Sequence, residues 1–266
     1  MEIPSFYDAP AKVGRTFVDW LAGWGRVFLF GAKALVMAVS PSAYDRETSN
    51  LMARQVYFTA WQILPGFVLV TAILSYMVIR IVIMAAVNYG LEDYALNIVV
   101  RVLMLELIPM FVALFVALRS GAAINTEVVL MHIRGDLEAL QRAGEDPMRH
   151  QLVPRVVGSA VSVFSLTVIA CSIALVLAYC AMYGFSTGGI ADYTLAISGI
   201  FNLAITLGLG VKAVFFGLAV AIIPITASLD APREARYAPI AVLNGMVRLF
   251  LSVALIEGAS LAFKYI

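Results

Sequence analysis

The sequence predicts an all-α membrane protein: an N-terminal interfacial helix, five transmembrane helices, and a cytoplasmic helix between the second and third spans. Three observations carry this. The chain of 266 residues is 62% hydrophobic and only 13% charged, about half the charge of an ordinary soluble domain. Its apolar runs are continuous and about 20 residues or longer, the length that crosses a bilayer core, not the alternating pattern of a barrel strand. One polar island, residues 119–155, interrupts them with five arginines, five acidic residues and both histidines of the chain. A net charge of +1 excludes a strongly basic nucleic-acid binder.

The elements follow in order. Residues 1–50 read as an N-terminal cytoplasmic and interfacial unit, and 51–266 as the membrane domain. Over residues 11–38, Lys12, Asp19, Arg26 and Lys33 recur every seven positions with Arg15 beside them, while Trp20, Trp24 and Val27 share another face. Tryptophan opposite Lys/Arg suits the headgroup boundary; the other reading is a short first span. Spans are expected at about 57–87, with a kink at Pro65 and Gly66, and at about 94–118, 156–183, 197–225 and 240–263. The first ten residues hold Glu2, Asp8 and two prolines. They lack the basic start and apolar core of a signal peptide, so a cytoplasmic N-terminus is expected. Cys171 and Cys180, nine residues apart on one helix, lie about 13 Å apart, too far for a disulfide.

Topology follows from Lys and Arg. Six lie before residue 55, none in the link 88–93, five in the island, none in the link 184–198, and Arg233 and Arg236 in the link 229–239. The positive-inside rule then puts the N-terminus, the island and the 229–239 link in the cytoplasm and the C-terminus outside.

Within the island, Ile133, Leu137 and Leu140 form an apolar stripe at i, i+4 and i+7, with Arg134, Glu138 and Gln141 on a neighbouring face. Gly144 should stop this helix. Asp146 as N-cap and Pro147 at the first position should start the next. A capped helix of this kind suits a partner's groove, or is simply a solvated loop that is helical.

Ionisable groups inside spans cost about 2.5–3.5 kcal/mol each at a helix centre and so face a cavity or a partner. Arg80, Arg101, Glu106, Lys212, Arg248 and Glu257 are such groups. Two readings stand for Glu106 and Lys212: groups that line a cavity, or a buried ion pair that orders the bundle. Other signals carry no chemistry. Gly184, Ser186 and Gly188 match the G-x-S-x-G string, but here it caps a span and both histidines precede it. His132 and His150 have no metal-ligand spacing. No phosphate-binding P-loop exists. No catalytic or metal residue is assigned, and no cofactor is expected on this chain.

The stretch LELIPMFVALFVALRSGAAINTEVVLMHIRGDLEAL, followed by GEDP and VPR, resembles the MlaE/YrbE permease family, the membrane subunits of Mla- and Mce-type lipid ABC transporters. Glu106 and Pro109, Arg119 and Gly121, Thr126 and Glu127, Asp146 and Pro147, Pro154 and Arg155, and Lys212 in LGVKAVFFG carry the match. Leu105 departs from it, standing where the family often has arginine; Arg101 lies one turn earlier.

The resemblance implies a permease dimer, of two identical chains or of paralogues, in a bacterial inner membrane. It implies a cytoplasmic ATPase that holds the ATP and Mg, an MCE-domain envelope protein, and, as a further accessory, a small STAS-type protein. It makes the island a coupling region over residues 127–143, drawing on Glu127, Ile133, Arg134, Leu137, Glu138 and Leu140, with Asp146 beyond. It also implies a lipid cavity drawing on Glu106, Lys212, Glu257, Arg101, Leu103 and Leu107, and on Leu69, Ile73 and Met77 of the first span. Phospholipid is the default cargo. An ion-driven secondary transporter using Glu106 and Glu257, and a non-transporting scaffold, are the competing classes; five spans without an evident repeat argue against the first.

Overall fold

The computed structural model describes residues 8–40 and 45–265, with side chains from Ala22 onward except those of Glu47, Asp93 and Tyr265. All regular structure among the described residues is helical. Helix α1 spans Asp8–Val39. Lys12, Arg15, Asp19 and Trp20 lie outside the described side chains. Beyond them Val27 and Ala34 turn into the bundle, while Phe28, Leu29 and Val36 face out. Gly31 lets α1 approach Ile222 closely: a Cβ there would stand 3.4 Å from its side chain. The stretch Ala22–Val39 is itself apolar and long enough to cross a membrane, so the described residues hold six such helices rather than five.

Helix α2, Arg46–Val56, runs on through a wide π-helical turn, Tyr57–Trp61. Helix α3, Leu64–Asn88, then starts afresh with Pro65 in its first turn. There the missing N–H costs nothing, so Pro65 opens a helix instead of kinking one. Helix α4 is a single rod, Ala95–Arg134, of 40 residues. At about 60 Å it outruns a bilayer core of about 30 Å. Its last turns are the first part of the polar island.

The island is not one helix. Gly135 takes a left-handed φ of 77° and ends α4, so Ile133 and Leu137 sit on different helices and the expected single stripe is broken. Helix α5, Asp136–Arg142, is short. Gly144, with φ 86°, ends it. Asp146 accepts the Met148 N–H at 3.0 Å and opens α6, Met148–Tyr183. Helix α7, Ile190–Ile200, and α8, Leu203–Leu229, replace the single fourth span read from sequence. The break falls at Asn202, whose side-chain oxygen accepts the Ile205 N–H at 2.8 Å and so caps α8. Helix α9 is Ala238–Tyr265.

The spans pack by shape and by a few internal polar ties. Phe67, Met104, Leu166, Phe216, Ile225 and Leu249 are fully buried. Gly217 of α8 passes so near α6 that a Cβ would meet the Ala160 Cα at 2.6 Å; small residues permit such approaches between membrane helices. Asn125 of α4 is wholly buried. It donates to the Val242 carbonyl at 3.0 Å and accepts from the Ser228 hydroxyl at 2.6 Å. One side chain thereby ties α4, α8 and α9, and satisfies groups that lipid could not.

Candidate functional site

Within α4, residues Val99–Leu107 form wide π-helical turns, a geometry frequent at functional sites. From this stretch both the Leu105 carbonyl and the Glu106 carboxylate meet the Lys212 ammonium of α8. Lys212 donates to Leu105 O at 3.1 Å, contacts Glu257 of α9 at 2.8 Å, and bonds Glu106. Two of these contacts are hydrogen bonds, and the third is an ion pair with the Glu257 carboxylate. The other oxygen of Glu106 takes the Lys264 ammonium at 2.7 Å. Two carboxylates and two ammonium groups from three helices thus close into one neutral network.

Exposure separates the members. Lys212 is 6% exposed, Glu257 12% and Glu106 13%, whereas Lys264 is 24% exposed. Beside the network lies a cavity of ≈ 460 Å³, reached by Glu106, Lys212 and Lys264 and walled by apolar residues that include Leu105, Ile205, Leu209 and Phe263. One side is charged and the rest is greasy. Gly208 lines it too, with no atom within 4 Å of where its Cβ would stand.

The structure brings Glu106, Lys212 and Glu257 together and adds Lys264. Lys264 lies in the last turn of α9, and the return of α9 past α4 pairs it with Glu106. Arg101 stands apart, exposed and donating to Asn97 Oδ1 at 2.7 Å one turn back on its own helix. Leu69, Ile73 and Met77 form an exposed stripe on α3, none of them lining the charged cavity. Leu103 and Leu107 instead line a separate apolar cleft of ≈ 230 Å³ with Thr71 and Ser75.

At the other end of the spans the island is tied to its surroundings by ion pairs. Arg155 is buried and meets Glu127 at 3.1 Å, joining the two ends of the island. Glu138 of α5 pairs with Arg233 of the link before α9. Asp230 holds Arg26 of α1 at 2.8 Å. Leu137 is 8% exposed, so it turns into the protein instead of outward. Leu140 and Ile133 are half-buried, and Arg134, Asp146 and Glu127 are exposed. The exposed residues of α5 are Asp136, Ala139, Gln141 and Arg142, all but the alanine polar or charged. In the loop after α6, Ser186 donates to the Tyr183 carbonyl at 3.2 Å, as a turn residue does.

Six helices long and apolar enough to cross a membrane, with a charged network buried between three of them, define a multi-pass membrane protein. The family model described as Permease MlaE matches residues 52–262. The chain is 26% identical to a probable ABC transporter permease protein of Rickettsia typhi over 95% of this chain and 96% of that one. It is 25% identical to one of Rickettsia conorii over 92% and 95%, and 26% identical to one of Rickettsia prowazekii over 92% and 94%. The chain belongs to the MlaE permease family and is an ABC transporter permease. Permeases of this class are not themselves catalytic.

Proposed function

We propose that this chain is the permease subunit of a lipid-moving ABC transporter in a bacterial inner membrane, with α1 lying in the membrane interface and not crossing it, the N-terminus in the cytoplasm, and phospholipid as cargo. The observation that supports this reading most is the cavity itself. A phospholipid offers a charged headgroup and long apolar chains, and the cavity offers Glu106, Lys212 and Lys264 on one side and leucine, isoleucine and phenylalanine on the others. Lys212 is buried and held by the Leu105 carbonyl and two carboxylates, so it holds the wall in place. Lys264, the most exposed of the four, is the group that meets a phosphate.

In this reading two permeases, identical or paralogous, face each other in the membrane. The exposed stripe Leu69, Ile73 and Met77 is available to the second copy or to lipid acyl chains. A cytoplasmic ATPase, which holds ATP and Mg, seats on the island. The contact is made by the outward residues Glu127, Arg134, Asp136 and Arg142, because Leu137 points inward. The Glu138–Arg233 pair carries displacement of α5 to the base of α9. An MCE-domain protein continues the path outside, and a STAS-type protein is a further partner of the ATPase.

The test is to co-express the chain with its ATPase, purify the assembly, and quantify bound phospholipid by mass spectrometry alongside ATP hydrolysis. Bound phospholipid that falls with Lys264→Ala, while hydrolysis persists, is expected. Phospholipid content equal in wild type and Lys264→Ala would refute the assigned role of Lys264, and absence of phospholipid from both would refute the cargo.

A further inference from the structure

Arg119 belongs to a matched motif, yet it takes no part in the cavity. Counting about 1.5 Å per residue, it lies about 36 Å along α4 from Ala95, at or just beyond the edge of a hydrocarbon core of about 30 Å. It is exposed. Its guanidinium makes only long bonds, 3.5 Å to the Phe58 carbonyl and 3.4 Å to Gln62 Oε1. Phe58 carries a second guanidinium: Arg54 lies over its ring, 5.6 Å from the centroid. Among the described residues neither Arg54 nor Arg119 has a carboxylate partner. Two arginines that meet one phenylalanine, neither with a carboxylate partner among the described residues, form a local excess of positive charge.

The surroundings match a lipid in depth and polarity. Arg54, Phe58 and Trp61 fall at i, i+4 and i+7, so they share a face of α2 and its π-helical turn. Phe58 and Trp61 are exposed there, as are Tyr57 and the neighbouring Leu118 of α4. Aromatic rings and arginines at one level are what a headgroup boundary selects. The face is held still from behind: α2 packs on α6 so closely that a Cβ on Gly158 would stand 2.8 Å from the Gln55 side chain. Thr59, on the inner side, is buried and bonds Gln55 at 3.0 Å.

We infer that Arg54 and Arg119, with Phe58, Tyr57 and Trp61, form a second lipid site, one that binds the phosphate of an anionic phospholipid from the surrounding bilayer and is separate from the cavity. The two guanidiniums take the phosphate oxygens, the geometry for which arginine is suited. The rings sit at the glycerol level, and an acyl chain lies along Leu118. The site depends only on the membrane setting of the chain, so it stands or falls apart from the cargo reading.

Trp61 is a built-in reporter. In a Trp20→Phe, Trp24→Phe background it is the only tryptophan, since the chain has three. The full chain is reconstituted in phosphatidylcholine vesicles containing either brominated phosphatidylglycerol or brominated phosphatidylcholine at equal mole fraction. Bromine quenches tryptophan on contact. Each arginine near an anionic surface is worth about a five-fold preference, so quenching should rise at markedly lower mole fraction of the anionic lipid. Arg54→Gln with Arg119→Gln should abolish that preference. Arg54→Lys with Arg119→Lys should keep part of it, and Arg236→Gln, whose guanidinium is engaged by Glu234 and Tyr237, should keep all of it. Equal quenching by both lipids in the parent protein would overturn the site. So would a Gln double variant that keeps the preference. If that variant sheds a co-purifying protein while its lipid preference persists, the face docks protein and the inference is wrong.

Discussion

The molecule uses ion pairs in two places, and they do different work. Inside the spans, Glu106, Lys212, Glu257 and Lys264 join three helices with side chains at most 24% exposed. At the other end, Arg233 of the link before α9 with Glu138 of the island, and Arg236 with Glu234 within that link, are 58%/32% and 71%/56% exposed. Pairs of the second kind are worth about 0–1 kcal/mol because water and salt screen them. Pairs of the first kind return little net stability when whole, but losing one partner strands a charge where nothing solvates it. The inner network therefore dictates how α4, α8 and α9 must meet. The outer pairs hold elements together loosely enough to shift, which suits a region that changes position during a transport cycle.

The sharpest way to break this contrast is at Lys212. Replacing it with Met should leave Glu106 and Glu257 without their shared cation and cost about 3–5 kcal/mol, read as a large drop in the thermal midpoint of the detergent-solubilised protein. Adding Glu257→Gln should recover a substantial part, since the second change removes the stranded charge and coupled sites are not additive. A shift below about 1 kcal/mol for Lys212→Met would mean that the network is solvated and the contrast false.

A smaller loss, about 1–3 kcal/mol, is expected for Gly217→Ala, whose methyl group meets backbone of α6; it measures how much of the bundle rests on shape instead of charge. Smallest of all, Arg233→Gln should change stability by no more than about 1 kcal/mol, and less still at high salt. It should nevertheless weaken the coupling of ATP hydrolysis to transport in the reconstituted assembly. Full coupling in that variant would remove the Glu138–Arg233 relay from the account.

The charges inside spans were the legible part of the site. Lys212, Glu106 and Glu257 stand out because lipid makes each one costly, so a sequence retains them only where they are partnered or used. Lys264 was not legible, since nothing local distinguishes a charge that snorkels from one that folds back on a neighbour. Helix existence was legible from hydropathy. The breaks at Gly135 and Asn202 were less so: the apolar pattern runs across both, and only the glycine and the capping asparagine mark them. The π-helical turns at Val99–Leu107, around Glu106, and at Ala117–Gly121, around Arg119, leave no mark on the apolar periodicity. Leu137 carried the right period for a helix, but a stripe does not say whether it faces a partner or its own chain, and here it faces inward.

The cavity beside the network is the centre of the functional account, and Gly208 tests it without disturbing a charge. A leucine there would grow into open space and should favour the helix, since glycine is about 1 kcal/mol worse than a good helix former. The measurement is the phospholipid bound per purified assembly, with the thermal midpoint taken on the same sample. The account predicts a Gly208→Leu protein at least as stable as wild type that has lost most of its bound phospholipid. A stable variant that retains the full complement would contradict it.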